Sequence, residues 1–207
     1  MHELAQSCDS VPDAGVSVTN FEFVFSLLGI LLGLALAEIL GGLARIVKRR
    51  PMLRIGWATG LLATWAILEI VLFWRVAWRA RDYLPDTSPA LLTGFAITAL
   101  YYFAGALLFP DNIDERHILD DYFMQEKAKV VGALFAAAVI AYGARPAVMG
   151  SASWSYMTWF DVGALSSQSI SALAAILTTN RRVAIAFLSI LVLVDALDPI
   201  QTIFWPS

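Results

Sequence analysis

Residues 31–42 read LLGLALAEILGG, and eleven of these twelve side chains are Leu, Ile, Ala or Gly. The twelfth is Glu38. A spanning helix needs about 20 mostly apolar residues, because the hydrocarbon core is about 30 Å thick and each helical residue rises 1.5 Å. The run around Glu38 continues in both directions far enough to meet that length, from about 21 to 46. A carboxyl group in such a segment faces either a packed neighbour or a wet path, because a lipid-facing charge costs about 2.5–3.5 kcal/mol on insertion scales.

The rest of the chain agrees with a membrane setting. Of 207 residues, 59% are hydrophobic and 15% charged. Soluble domains run near 45–50% apolar and about 25% charged. Further runs at about 55–79, 88–109, 128–144, 158–179 and 182–203 bring the expected total to six spans in one all-α domain covering 21–207. The fourth run is short and gains length if the polar segment before it continues the helix. Residues 1–20 form a short polar segment without a basic n-region, so the first span is expected to be retained rather than cleaved.

Orientation follows the distribution of Lys and Arg in short loops. Arg45, Lys48, Arg49, Arg50, Arg54, Arg116, Lys127, Lys129, Arg181 and Arg182 make ten on one side, against Arg75, Arg79, Arg81 and Arg145 on the other. The ten mark the cytoplasmic side, so both termini are expected outside. A compact chain of this kind suits a bacterial inner membrane. Trp74, Trp78, Trp154, Trp159 and Trp205 fall near outer ends and Trp57 near an inner one, as an interfacial belt does.

Between the third and fourth spans, PDNIDERHILDDYFMQEKA (110–128) sets Ile118, Leu119, Tyr122 and Phe123 at helical spacing among charges. This reads as an amphipathic helix on the cytoplasmic surface, and its 111–126 stretch as a place where a protein partner docks. Asp114, His117 and Asp121 share one face of it and are weak candidates for a metal.

Small residues recur every fourth position at Gly29, Gly33, Ala37 and Gly41. That ladder lets helix backbones approach closely, within the chain or across a homo-oligomer interface. Ala35, Gly41 and Gly42 lie on the glutamate's own face, so Glu38 is expected to point at other helices, with Arg45 two turns on.

Other polar groups interrupt the spans. Glu69 sits in WAILEIVLFW, near mid-depth; Asp195 and Asp198 sit in LVLVDALDPI, in the outer third; Asp161 opens the fifth span. That span, DVGALSSQSISALAAILTT, carries Asp161, Ala164, Gln168, Ser171, Ala175 and Thr178 as one stripe of small or polar side chains. Carboxylates at several depths are what a proton or cation path needs. Glu38, Glu69, Asp195, Asp198, Asp161, Gln168 and Ser171 are the candidates for such a path. Arg75 is the expected ion-pair partner for one carboxylate, and Tyr101 and Tyr102 are potential hydroxyl partners.

Several classes fall away. With two histidines and one cysteine, the usual zinc and bis-histidine haem sites lack ligands, and no cofactor is expected. Apart from Lys129 at the edge of the fourth, the expected spans contain no lysine for a Schiff base. Neither a phosphate-binding loop nor a nucleophile elbow is present. Basic residues form no nucleic-acid footprint. A channel or transporter for protons or a small cation is the leading expectation, with the lipid bilayer as its surroundings. A non-catalytic membrane subunit, scaffold or sensor is the alternative, and a metal-dependent membrane enzyme the third.

Overall fold

The computed structural model describes residues 20–48, 57–79, 87–110, 119–149 and 159–204. Among the described residues there are six α-helices and no strand: α1 (Asn20–Lys48), α2 (Trp57–Arg79), α3 (Ser88–Leu108), α4 (Leu119–Met149), α5 (Trp159–Leu177) and α6 (Arg181–Phe204). Their packing forms a ring in the order α1, α3, α4, α5, α6, α2. α2 also touches α3 and α4 across the middle, which makes it the hub.

α1, α4 and α6 each bury one seam at coiled-coil spacing, and the hub α2 buries two. α1 turns Leu28, Leu32, Ala35, Ile39, Gly42 and Ile46 inward, at alternating steps of four and three. α4 does the same with Phe123, Lys127, Val130, Leu134 and Ala137, and α6 with Ala184, Leu188, Leu191 and Asp195. A 3.5-residue period keeps one narrow stripe facing its neighbours along a long helix. The opposite faces are equally apolar: Ile30, Leu34, Leu40, Val71, Leu92, Phe95, Phe103, Val139, Ile170 and Leu193 are all exposed. Helices that are hydrophobic all round, with their outer apolar faces uncovered, belong in lipid.

Four segments are long and apolar enough to cross a membrane: Val24–Lys48, Trp57–Arg79, Ser88–Leu108 and Tyr122–Ala144. Leu165–Leu177 is a shorter apolar stretch on α5. The protein is membrane-embedded and all-helical among its described residues.

Three sequence expectations need adjustment. First, α4 starts at Leu119, so residues 119–127 continue into the fourth span rather than forming a separate surface helix; residues 111–118 lie outside the described residues. Second, Lys127, counted as a loop charge, is therefore buried within Tyr122–Ala144, so a span does contain a lysine. Third, the small-residue ladder of α1 does not seat a helix of this chain along its length. A Cβ at Gly33 or Gly41 would meet nothing within 4 Å, and Ala37 is exposed. Only Gly29 adjoins a neighbour, the ring of Trp74. Close approach falls to other glycines: a Cβ at Gly105 would lie 3.1 Å from the Ala35 carbonyl oxygen, and one at Gly42 would strike the Phe109 ring.

Helix ends follow local chemistry. α3 stops at Leu108 because Phe109 precedes Pro110 and takes the extended backbone that position favours (φ −125°, ψ 142°). The α5–α6 turn is three residues long, and the Asn180 Oδ1 accepts the Arg182 backbone N–H at 3.0 Å, an N-cap for α6. So short a turn forces α5 and α6 to run antiparallel side by side.

Candidate functional site: a buried carboxyl pair

Glu69 stands 12 residues beyond Trp57 on α2, about 18 Å along the axis. Asp195 stands 14 residues beyond Arg181 on α6, about 21 Å along. Both are buried, at 6% and 5% exposure. α2 and α6 pack against each other, which brings the two buried carboxyls together in the core. Asp195 is therefore level with Glu69 near the middle of the bundle, not in the outer third as its distance from the span's end suggests. Asp195, about 21 Å along a helix about 36 Å long, lies only a little beyond the helix centre.

Two further helices close on the pair. The Tyr101 hydroxyl of α3 donates to Glu69 Oε2 at 3.4 Å. The Gln168 side-chain N–H of α5 donates to Glu69 Oε1. Tyr101 is in turn braced by Phe73, whose ring centroid is 5.6 Å away. Trp65, one turn before Glu69 on the same face of α2, is buried, and its indole N–H has no hydrogen-bond partner among the described residues. Asp195 Oδ2 is buried and has no donor among the described residues. Donors from α3 and α5 thus close on the Glu69 carboxyl, and Ala66 and Ile70, its sequence neighbours on α2, and Leu191, that of Asp195 on α6, are fully enclosed.

The remaining sequence candidates divide. Ser171 lies one turn after Gln168 and is buried on the same side of α5. The backbone places Asp161 on the first turn of α5 and Asp198 three residues after Asp195 on α6. Glu38 is not part of the cluster. Its side chain is 39% exposed on the outer side of α1, 3.7 Å from the Arg45 guanidinium, so it faces away from the bundle and not towards it. The face of α1 that points inward is the Ala35–Ile39–Gly42 seam, and Glu38 falls just off it. Arg75 has Arg79 and Tyr142 among its electrostatic neighbours, whereas Glu69 and Asp195 are governed by each other, Trp65 and Tyr101. Of the two tyrosines singled out, Tyr101 supplies the hydroxyl and Tyr102 is exposed.

Asp114 and His117 lie outside the described residues, and Asp121 is on α4. Among the described residues, no three His, Cys, Asp or Glu side chains gather as a metal site would require.

Two participants escaped the sequence reading. Trp65 differs from the interfacial tryptophans in lying one helical turn from an intramembrane carboxylate, a spacing visible in WAILE. Lys127 is the other. Its Nζ donates to the carbonyl of Ala175 at 2.9 Å and also to that of Thr178. These are among the last carbonyls of α5, which have no partner within the helix, and a cation there also complements the helix dipole. Lys127 thereby ties α4 to the end of the helix that carries Gln168.

Fold and site together define a multi-pass α-helical membrane protein with a carboxyl pair in its core. The chain matches no family model, no curated protein and no solved structure with which it was compared.

Proposed function

We propose that the protein is an integral membrane channel or transporter for protons or a small cation, with Glu69 and Asp195 as its ion-binding centre. One observation carries this reading: carboxyls 126 positions apart in sequence meet in the core, ringed by donors from two more helices. Ionisable groups inside a membrane are costly and mark ion or proton routes. Gln168 and Ser171 extend the polar side of the centre along α5. Asp161 and Asp198 would continue the route towards one surface.

In this proposal all six helices span. α5 and α6, at 19 and 24 residues, reach about 28 and 36 Å, enough for the hydrocarbon core. The excess of Lys and Arg in alternate loops puts both termini outside the cytoplasm, in a bacterial inner membrane. The segment from 111 into the start of α4 is then cytoplasmic and free to meet a partner.

A membrane subunit without transport is the second reading. It is favoured by the way both oxygens of Glu69 already hold a donor, as a purely structural strut would. Liposomes containing the purified protein and a trapped pH dye separate the two. A potassium gradient with ionophore sets the voltage; transport predicts internal acidification. Silence for protons, and then for sodium and potassium, would remove the transport reading.

A further inference from the structure

We propose that the ligand of the Glu69–Asp195 centre is one proton shared between the two carboxyls, and that the centre does not take a metal cation. This deepens the ion-binding role assigned to the pair and rests on it.

The argument is one of donors and acceptors. An ionised carboxyl group only accepts hydrogen bonds. Two of them in contact make a hydrogen bond only when one carries a proton. Glu69 is already supplied on both oxygens, by Tyr101 and Gln168. Asp195 Oδ2 is buried and meets no donor among the described residues. A proton on Asp195 resolves the mismatch: the Asp195 O–H donates to the Glu69 carboxylate, which has lone pairs to spare. The pair then carries one negative charge, which the Tyr101 and Gln168 donors face.

The same inventory disfavours a metal. Calcium takes six to eight oxygen ligands, and hard cations in general need several acceptors converging on one point. Here the groups converging on the pair are an O–H and N–H groups, which turn their positive ends towards it. On the pair's own helices the buried neighbours in sequence are apolar: Ala66 and Ile70 on α2 and Leu191 on α6. The other titratable and charged groups are placed as follows. Tyr101 of α3 touches the pair, Tyr142 of α4 acts on Tyr101, and Arg75 of α2 acts on Tyr142. α5 offers the uncharged Gln168, and on α1 Glu38 and Arg45 lie on the outer face.

Infrared difference spectroscopy on the full chain in lipid nanodiscs tests this at neutral pH. A buried carboxylic acid gives a C=O stretch well separated from carboxylate and amide bands. The wild type should show one, and 13C labelling of the aspartate carboxyl should move it, which needs no variant to fold. Asp195→Asn should remove the band. Glu69→Gln should shift it, because the acceptor changes from a carboxylate to an amide. Sodium, potassium, calcium or magnesium added at constant pH should leave it unchanged. A wild type with no such band, or a band that any of these cations abolishes, would overturn the assignment. Liposome flux is scored separately: protein that shows the band and carries no ion ends the transport reading and leaves the shared proton standing.

Discussion

Replacing Gln168 with Met keeps the length of the side chain and removes its N–H from Glu69 Oε1. Both residues are at least nine-tenths buried, so water does not replace the lost donor. Leaving one oxygen of a buried acid unsatisfied costs about 1–3 kcal/mol. Hydrogen bonds in membrane bundles average about 0.6 kcal/mol and reach about 1.7. The enclosure of this pair puts it at the upper end, near 1.5 kcal/mol. In a chain of this size each kcal/mol moves the midpoint by roughly 2–4 °C, so Gln168→Met should lower Tm by about 3–6 °C. The same substitution in a Glu69→Met background removes nothing further from that oxygen, and its cost should fall by about 1–1.5 kcal/mol. Thermal unfolding in detergent, followed by tryptophan fluorescence, gives all four midpoints. Equal losses in the two backgrounds, within about 0.3–0.5 kcal/mol, would refute the contact between α5 and the centre.

Other consequences follow from the packing. A Cβ at Gly42 would overlap the ring of the buried Phe109, whereas one at Gly41 meets nothing within 4 Å. Gly42→Ala should therefore lower stability by about 1–3 kcal/mol, and Gly41→Ala should be neutral or add up to about 1 kcal/mol of helix propensity; paired melting curves decide. Lys127→Met removes the bonds to Ala175 and Thr178 and should fray the end of α5, so that the Thr178 amide, bonded to the Ala174 carbonyl at 3.0 Å, exchanges about tenfold faster or more for a loss of roughly 1.4 kcal/mol. Hydrogen exchange read by mass spectrometry over α5 reports it. Glu38→Gln breaks only an outward-facing ion pair with Arg45, so in the flux assay it should lower transport far less than Glu69→Gln does.

How far the sequence reaches can be judged from particular residues. Hydropathy alone locates all six helices to within a few residues, except α4, because a polar first third hides the continuity that Leu119–Met149 has in space. Glu69, Asp195, Gln168 and Tyr101 stand out in the sequence as polar groups inside apolar runs. Their convergence does not, because it depends on which faces of α2, α3, α5 and α6 meet, over separations of 32 to 99 residues for the two hydrogen bonds. The inward face of α1 was legible in principle: Leu28, Leu32, Ala35, Ile39, Gly42 and Ile46 keep a strict alternation of four and three. The every-fourth ladder of Gly29, Gly33, Ala37 and Gly41 drifts around the helix instead, since 3.6 residues make a turn, and so it leaves the seam. Glu38 is expected inside because Ala35, Gly41 and Gly42 flank its face; Ala35 and Gly42 do lie on the seam, but Glu38 itself falls just off it. Lys127 was misplaced for a related reason. The charged run Glu126, Lys127 and Lys129 at the edge of an apolar stretch looks like a loop, and only the nearby end of α5 explains the burial of Lys127.

The central claim is that ions cross through the carboxyl pair, and voltage-driven acidification of liposomes tests it most directly. Wild type, Glu69→Gln, Asp195→Asn and Ser189→Ala are compared at equal reconstitution. Ser189 bonds only its own helix, to the Ile185 carbonyl at 2.9 Å, and serves as the control. The account predicts acidification by wild type and Ser189→Ala, and loss of it in both carboxyl variants. Undiminished acidification by Glu69→Gln or Asp195→Asn would contradict it.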